Sequence, residues 1–156
     1  MSNSEHIKPP WWLRPAAKPV NWIVIGISRL GLRLGAERPM VLTVPGRKSG
    51  KPRLTPITPM TIDGNRYVVE GFPGSDWALN ARAAGEATLQ RGSLIERVRM
   101  VELSSEDARP VLRAFPSGVP GGVRFMKRAG LVKDGTPDEC EALAGRCAVF
   151  RVDPIT

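Results

Sequence analysis

The chain has 156 residues, 42% of them apolar, with 16 glycines, 15 prolines and a formal net charge of +8. That length suits one domain with a single core, which buries roughly 70% of the unfolded surface. Apolar residues run throughout the chain, which argues against wholesale disorder, and the Gly/Pro punctuation argues against an all-helical bundle and for short strands joined by turns.

Two cysteines, Cys140 and Cys147, are too few for a disulfide framework and lack the company of a zinc site, so no metal is expected. The only histidine, His6, lies near the start, which makes a Ser-His-Asp triad a poor candidate. No cleavable signal peptide is visible, and the chain reads as cytoplasmic with two free thiols. The charge is unevenly placed. Residues 1–53 carry ten Lys/Arg against Glu5 and Glu37, whereas 54–156 hold 13 of each sign. A basic first third points to a localised anionic partner: a phosphate-bearing ligand, a membrane surface or nucleic acid.

In chain order, Pro9, Pro10, Pro15 and Pro19 oppose helix over residues 1–19. Residues 20–35 form a helix candidate stopped by Gly35, giving an N-terminal unit over 1–35 ahead of a domain over 36–156. About sixteen residues with two arginines are too few and too polar for a span, which needs about 20. This helix either packs on the domain or rests on a membrane. In the second case residues 8–35 make a peripheral contact, with Trp11, Trp12 and Trp22 at headgroup depth and Lys8, Arg14, Lys18, Arg29 and Arg33 facing anionic lipid. The inner face of the cell membrane is then the place for the protein.

Strands are expected from Pro39 to Val44, from Arg53 to Ile62 with breaks at Pro56 and Pro59, and from Tyr67 to Phe72 after the Asp63-Gly64 hairpin signal. Ser75 to Gly85 reads as a short helix. Ala87 to Gln90 and Leu94 to Leu103 pair around Arg91-Gly92, and Ser104 opens a helix running to about Phe115. Glycine-rich turns and short helical pieces follow, and Cys147 to Val152 closes as a strand. Five or six mostly antiparallel strands with helices around them define a small α+β domain or a barrel with inserted helices.

Residues 46–56 read Gly-Arg-Lys-Ser-Gly-Lys-Pro-Arg-Leu-Thr-Pro. Two glycines free backbone N–H groups to turn toward an anion, Ser49 adds a hydroxyl, and Arg47, Lys48, Lys51 and Arg53 supply charge. The spacing is not that of a Walker A loop. The stretch is a phosphate- or carboxylate-binding loop, or a solvated basic hairpin end. It holds no aromatic residue, which argues against nucleic acid.

This motif, preceded by Leu42-Thr43-Val44-Pro45 and followed by Asp63-Gly64, Tyr67-Val68-Val69 and Asp76-Trp77-Ala78-Leu79-Asn80, resembles the deazaflavin-dependent nitroreductase family. The resemblance covers roughly residues 36–153. It implies a split β-barrel related to flavin-binding pyridoxamine-phosphate-oxidase barrels, an actinobacterial source, and hydride transfer from reduced coenzyme F-420 to a small or lipophilic organic substrate. By that resemblance Arg47, Lys48, Ser49 and Arg53 hold the phosphate and the start of the acidic tail, with Lys51 nearer the rim. Thr55, Pro56 and Ile57 run beside the deazaflavin ring, and Trp77 and Asn80 open the helix that closes the site. FMN is the alternative cofactor, though it lacks the long anionic tail. A homodimer is in keeping with related barrels.

Two departures bear on substrate and cofactor. The family's turn lysine is replaced around Glu70-Gly71-Phe72-Pro73-Gly74, where Glu70 is expected to repel a phosphate. The tyrosines that line the family's substrate pocket are absent. The single tyrosine, Tyr67, reads as a sheet-packing residue, and Phe125 and Met126 with Lys127 and Arg128 offer an apolar pocket with a basic rim, suited to a fatty or isoprenoid substrate. The competing reading is a membrane-surface lipid- or flavin-binding protein of the same fold without nitroreductase activity.

Overall fold

A computed structural model describes residues 38–155. The helix expected over 20–35 and the boundary at 35/36 lie outside the described residues. Seven strands, β1 (Met40–Pro45), β2 (Pro52–Ile57), β3 (Met60–Ile62), β4 (Asn65–Val69), β5 (Glu86–Arg91), β6 (Leu94–Glu102) and β7 (Val149–Pro154), form one sheet in the order β2-β1-β5-β6-β7-β4-β3. All six pairings are antiparallel. Among the described residues the helices are α1 (Asp76–Ala84), α2 (Ser105–Gly118), α3 (Pro120–Arg128) and α4 (Pro137–Glu141).

The sheet must curl, and the chain shows why. Its two edge strands, β2 and β3, are joined by Thr58 and Pro59 alone. Seven flat strands would put the edges about 29 Å apart, whereas three Cα steps reach about 11 Å at most. The result is the antiparallel half-closed barrel of a split-barrel fold.

Curling gives the sheet an inside and an outside. Leu42, Leu89, Val98, Met100 and Phe150 fill the inside, closed at one end by Ala78 and Ala81 of α1. The other core lies between α2, α3 and α4 and the remaining face of β3, β4 and β7, built on Leu112, Phe115, Met126 and Val149 with Tyr67 and Val69 against it. Alternation along β4 does the sorting: Val68 faces one core, Tyr67 and Val69 the other.

Several local details differ from expectation. The strand predicted over Arg53 to Ile62 breaks at Thr58-Pro59 and not at Pro56. Pro56 is accommodated because β2 is an edge strand, where a missing N–H costs no ladder bond. The β5–β6 turn centres on Gly92-Ser93, with Arg91 and Leu94 already paired. Helix α2 runs through Pro116 to Gly118, because Val111, Leu112 and Phe115 are held in the second core. The return strand ends at Val69, and the closing strand starts at Val149, two residues later than predicted.

Candidate functional site

The loop 46–51 joins the paired ends of β1 and β2, where Pro45 faces Pro52. It is closed internally. The Gly46 N–H donates to Lys51 O at 2.8 Å, the Gly50 N–H donates to Gly46 O at 2.8 Å, and the Lys51 N–H donates to Ser49 Oγ at 3.2 Å. Gly50 takes φ 70°, which favours glycine. At Gly46 a Cβ would stand 2.8 Å from Ser49 Oγ, so a larger residue there would displace the Ser49 hydroxyl. The loop is therefore preformed.

Helix α1 braces it. The buried Asn80 side-chain oxygen accepts from the Arg47 backbone N–H at 3.0 Å and from Arg47 Nη1 at 2.9 Å, while Arg47 Nη2 meets Asp76 Oδ1 at 3.3 Å. Arg47 is thus partly committed to holding loop and helix together. Lys48, Lys51 and Arg53 are exposed and make no ion pair among the described residues. These three are the cations free to meet an incoming anion.

Beside the loop lies a cavity of about 620 Å³, into which Arg47, Lys48, Ser49, Arg53, Trp77 and Asn80 all project, with Thr55 further along β2. A second, mainly apolar cavity of about 500 Å³ adjoins it, lined by Pro56, Ile57, Phe72, Phe115 and Phe125 among others. Trp77 borders both cavities and is set by a tilted ring contact with Phe150, centroids 5.8 Å apart. Strand β2 passes from one to the other: Pro52 to Thr55 face the cationic cavity, Pro56 and Ile57 the apolar one. Lys51 is exposed and lines neither.

Two expected positions fall elsewhere. Met126 is fully buried in the second core and does not line the apolar cavity, whose wall on α3 is Gly122 and Phe125. On α3, Met126 lies on the side of Val123, which packs into the second core, and Phe125 is turned about 100° from it toward the cavity. Glu70 does not border the cationic cavity. Its carboxylate, 3% exposed, turns into a separate cavity of about 310 Å³ beside Arg82, Glu102 and Cys147, and accepts from the Gly74 N–H at 3.2 Å. Burial raises its pKa, and the backbone N–H and nearby Arg82 only partly offset this. The repulsion expected between Glu70 and a phosphate is therefore not set up by this geometry; the residue ties down the 70–74 turn instead. Cys147 is buried, which pushes its thiol up to about 11, so it does not act as a thiolate nucleophile at neutral pH.

The sequence reading missed Asp76 as a partner of Arg47, and Phe72, Phe115 and Gly122 as cavity walls. Asp76 was legible only as a helix-start residue. The three wall residues come together through packing of α2 and α3 on the 70–74 turn, for which no local sequence signal exists.

The half-closed antiparallel barrel, with a preformed cationic loop opening beside an apolar cavity, is of the split-barrel class. The chain belongs to the F420H(2)-dependent quinone reductase family, whose model matches residues 24–127. It is similar in structure to an F420-H2 dependent reductase (FDR-A), at 19% identity over 74% of this chain and 93% of that one, with a TM-score of 0.50. It is also similar to a protein solved as a domain-swapped dimer, at 23% identity over 86% of this chain and 99% of that one, with a TM-score of 0.51. No curated protein sequence gives a significant match. The protein is an oxidoreductase that uses coenzyme F-420 to reduce a small organic substrate.

Proposed function

We propose that the cationic cavity holds the phosphate and acidic tail of coenzyme F-420 and that the apolar cavity receives the ring and a lipophilic quinone. The observation that carries this is the continuous wall made by Trp77 and β2 between a cationic and an apolar compartment. A ligand with an anionic end and a flat aromatic end needs that arrangement. The donor set fits: three cations without ion pairs, the Ser49 hydroxyl and a preformed backbone turn suit phosphate and carboxylate oxygens.

Reduced coenzyme F-420 supplies the hydride. The chain's own residues bind, orient and exclude water. Lys48 and Arg53 anchor the phosphate, with Lys51 meeting the more distant tail carboxylates. Arg47 contributes donors while Asn80 and Asp76 fix its direction. Pro56 and Ile57 run beside the ring, and Thr55 stands where β2 passes from the cationic to the apolar cavity. Phe115 and Phe125 present apolar surface to the substrate and keep water from its ring. A homodimer and a peripheral membrane contact through residues 8–35 belong to the same reading. Among the described residues no helix is long and apolar enough to cross a membrane.

Arg53→Ala is expected to weaken coenzyme binding by about 1.5–3 kcal/mol, the range for a charge-assisted hydrogen bond. Fluorescence titration checks it. Unchanged affinity in that variant would remove the loop from the site.

A further inference from the structure

We propose that the mouth of the apolar cavity, where Phe72 of the 70–74 turn and Phe125 of α3 stand exposed, makes with the neighbouring Arg124 and Arg128 of α3 a contact surface for anionic phospholipid. The proposal rests on the quinone reductase reading: a quinone dissolved in the bilayer would enter the cavity through this mouth.

Phe72 and Phe125 are 49% and 55% exposed, two of four large apolar side chains exposed among the described residues, and both line this cavity. They come from segments in close approach, since a Cβ on Gly71 would stand 3.3 Å from the Phe125 ring. Helix α3 buries Val123 and Met126. At about 100° per residue, that turns Arg124, Phe125 and Arg128 toward solvent together. An outward aromatic with two arginines beside it is the composition of a surface that lies in a lipid headgroup layer.

The charge along the segment that carries α3 has one sign. Residues 108–133 contain Arg109, Arg113, Arg124, Lys127, Arg128 and Lys133 and no acidic residue. Of these, Arg113 is paired with Asp138 and Glu141. Arg124 and Arg128 have no ion pair among the described residues. This favours an anionic membrane over a second copy of the chain. A two-fold contact centred here would bring like-charged arginines toward their own symmetry mates, whereas lipid phosphates complement them.

The test is co-sedimentation of the full chain with vesicles of phosphatidylcholine alone and of phosphatidylcholine with phosphatidylglycerol. Wild-type protein is expected to partition onto the anionic vesicles, and less so as salt rises. Arg124→Glu with Arg128→Glu should reduce that partitioning by about tenfold or more, given the contribution of each basic residue near an anionic surface. Phe72→Ser with Phe125→Ser should reduce it as well. With Arg124→Glu alone, reduction of a tail-less quinone in solution should stay at the wild-type rate while reduction of a long-chain quinone in anionic vesicles falls. Equal partitioning by wild-type and arginine-reversed chains would overturn the proposal. So would lipid-independent dimerisation abolished by the phenylalanine changes. Coenzyme affinity without lipid reads the underlying assignment separately: a chain that partitions through this patch but binds no coenzyme contradicts the reductase reading and not the patch.

Discussion

Asn80 carries more of the site than its neutral side chain suggests. One buried oxygen accepts from both the backbone and the guanidinium of Arg47, and so fixes the loop 46–51 against α1. Asn80→Ala leaves the half-buried Arg47 N–H without its partner, which is expected to cost about 1–3 kcal/mol of stability. It should also weaken coenzyme binding, because the loop loses its fixed direction. Thermal unfolding and coenzyme titration of that variant check the two effects. Met126 gives the opposite pattern. Fully buried in the second core, it should cost about 2–5 kcal/mol when changed to alanine, while coenzyme affinity stays at the wild-type value. A large loss of affinity in a still-folded Met126→Ala protein would return that residue to the site.

Among the elements, those encoded by backbone chemistry were the legible ones. Asp63-Gly64 forms the β3–β4 turn with both residues at positive φ, 50° and 81°, as the two-residue signal required. Gly85 ends α1 at φ 71°, and Ser104 caps α2 by accepting from the Asp107 N–H at 3.1 Å. What failed locally was decided by packing: Pro116 stays within α2, and Met126 turns inward, because the second core holds that side of each helix. The direction of the Glu70 side chain was equally illegible, since it depends on where β7 and α1 come to lie. Its raised pKa means that ionised Glu70 is less favourable in the folded than in the unfolded chain. Its contribution is therefore greatest at low pH and is lost as pH rises through the raised folded value. Glu70→Gln keeps an acceptor for the Gly74 N–H without the charge. Its melting temperature should equal or exceed wild type at about pH 8, with the difference closing toward about pH 4, near the ordinary carboxylate range. A variant less stable than wild type at about pH 8 but not at about pH 4 would show that the ionised carboxylate stabilises the turn.

At the scale of the molecule, curling of the sheet is what makes a site possible. It brings β2, the strand that leaves the cationic loop, beside α1 and the 70–74 turn, so that Trp77 stands between two compartments of different chemistry. The cluster of cations over 46–53 was visible along the chain. Their arrangement was not: Arg47 proved to be a brace, and Lys48, Lys51 and Arg53 the cations of the loop without an ion pair among the described residues. The most direct test is titration of the purified protein with oxidised coenzyme F-420 and with FMN, followed by fluorescence at low and moderate salt. Saturable binding of the deazaflavin that weakens as salt rises, with little binding of FMN, is the predicted result. Binding of FMN alone, or of neither compound, would contradict the assignment of the cationic loop to the coenzyme's phosphate and acidic tail.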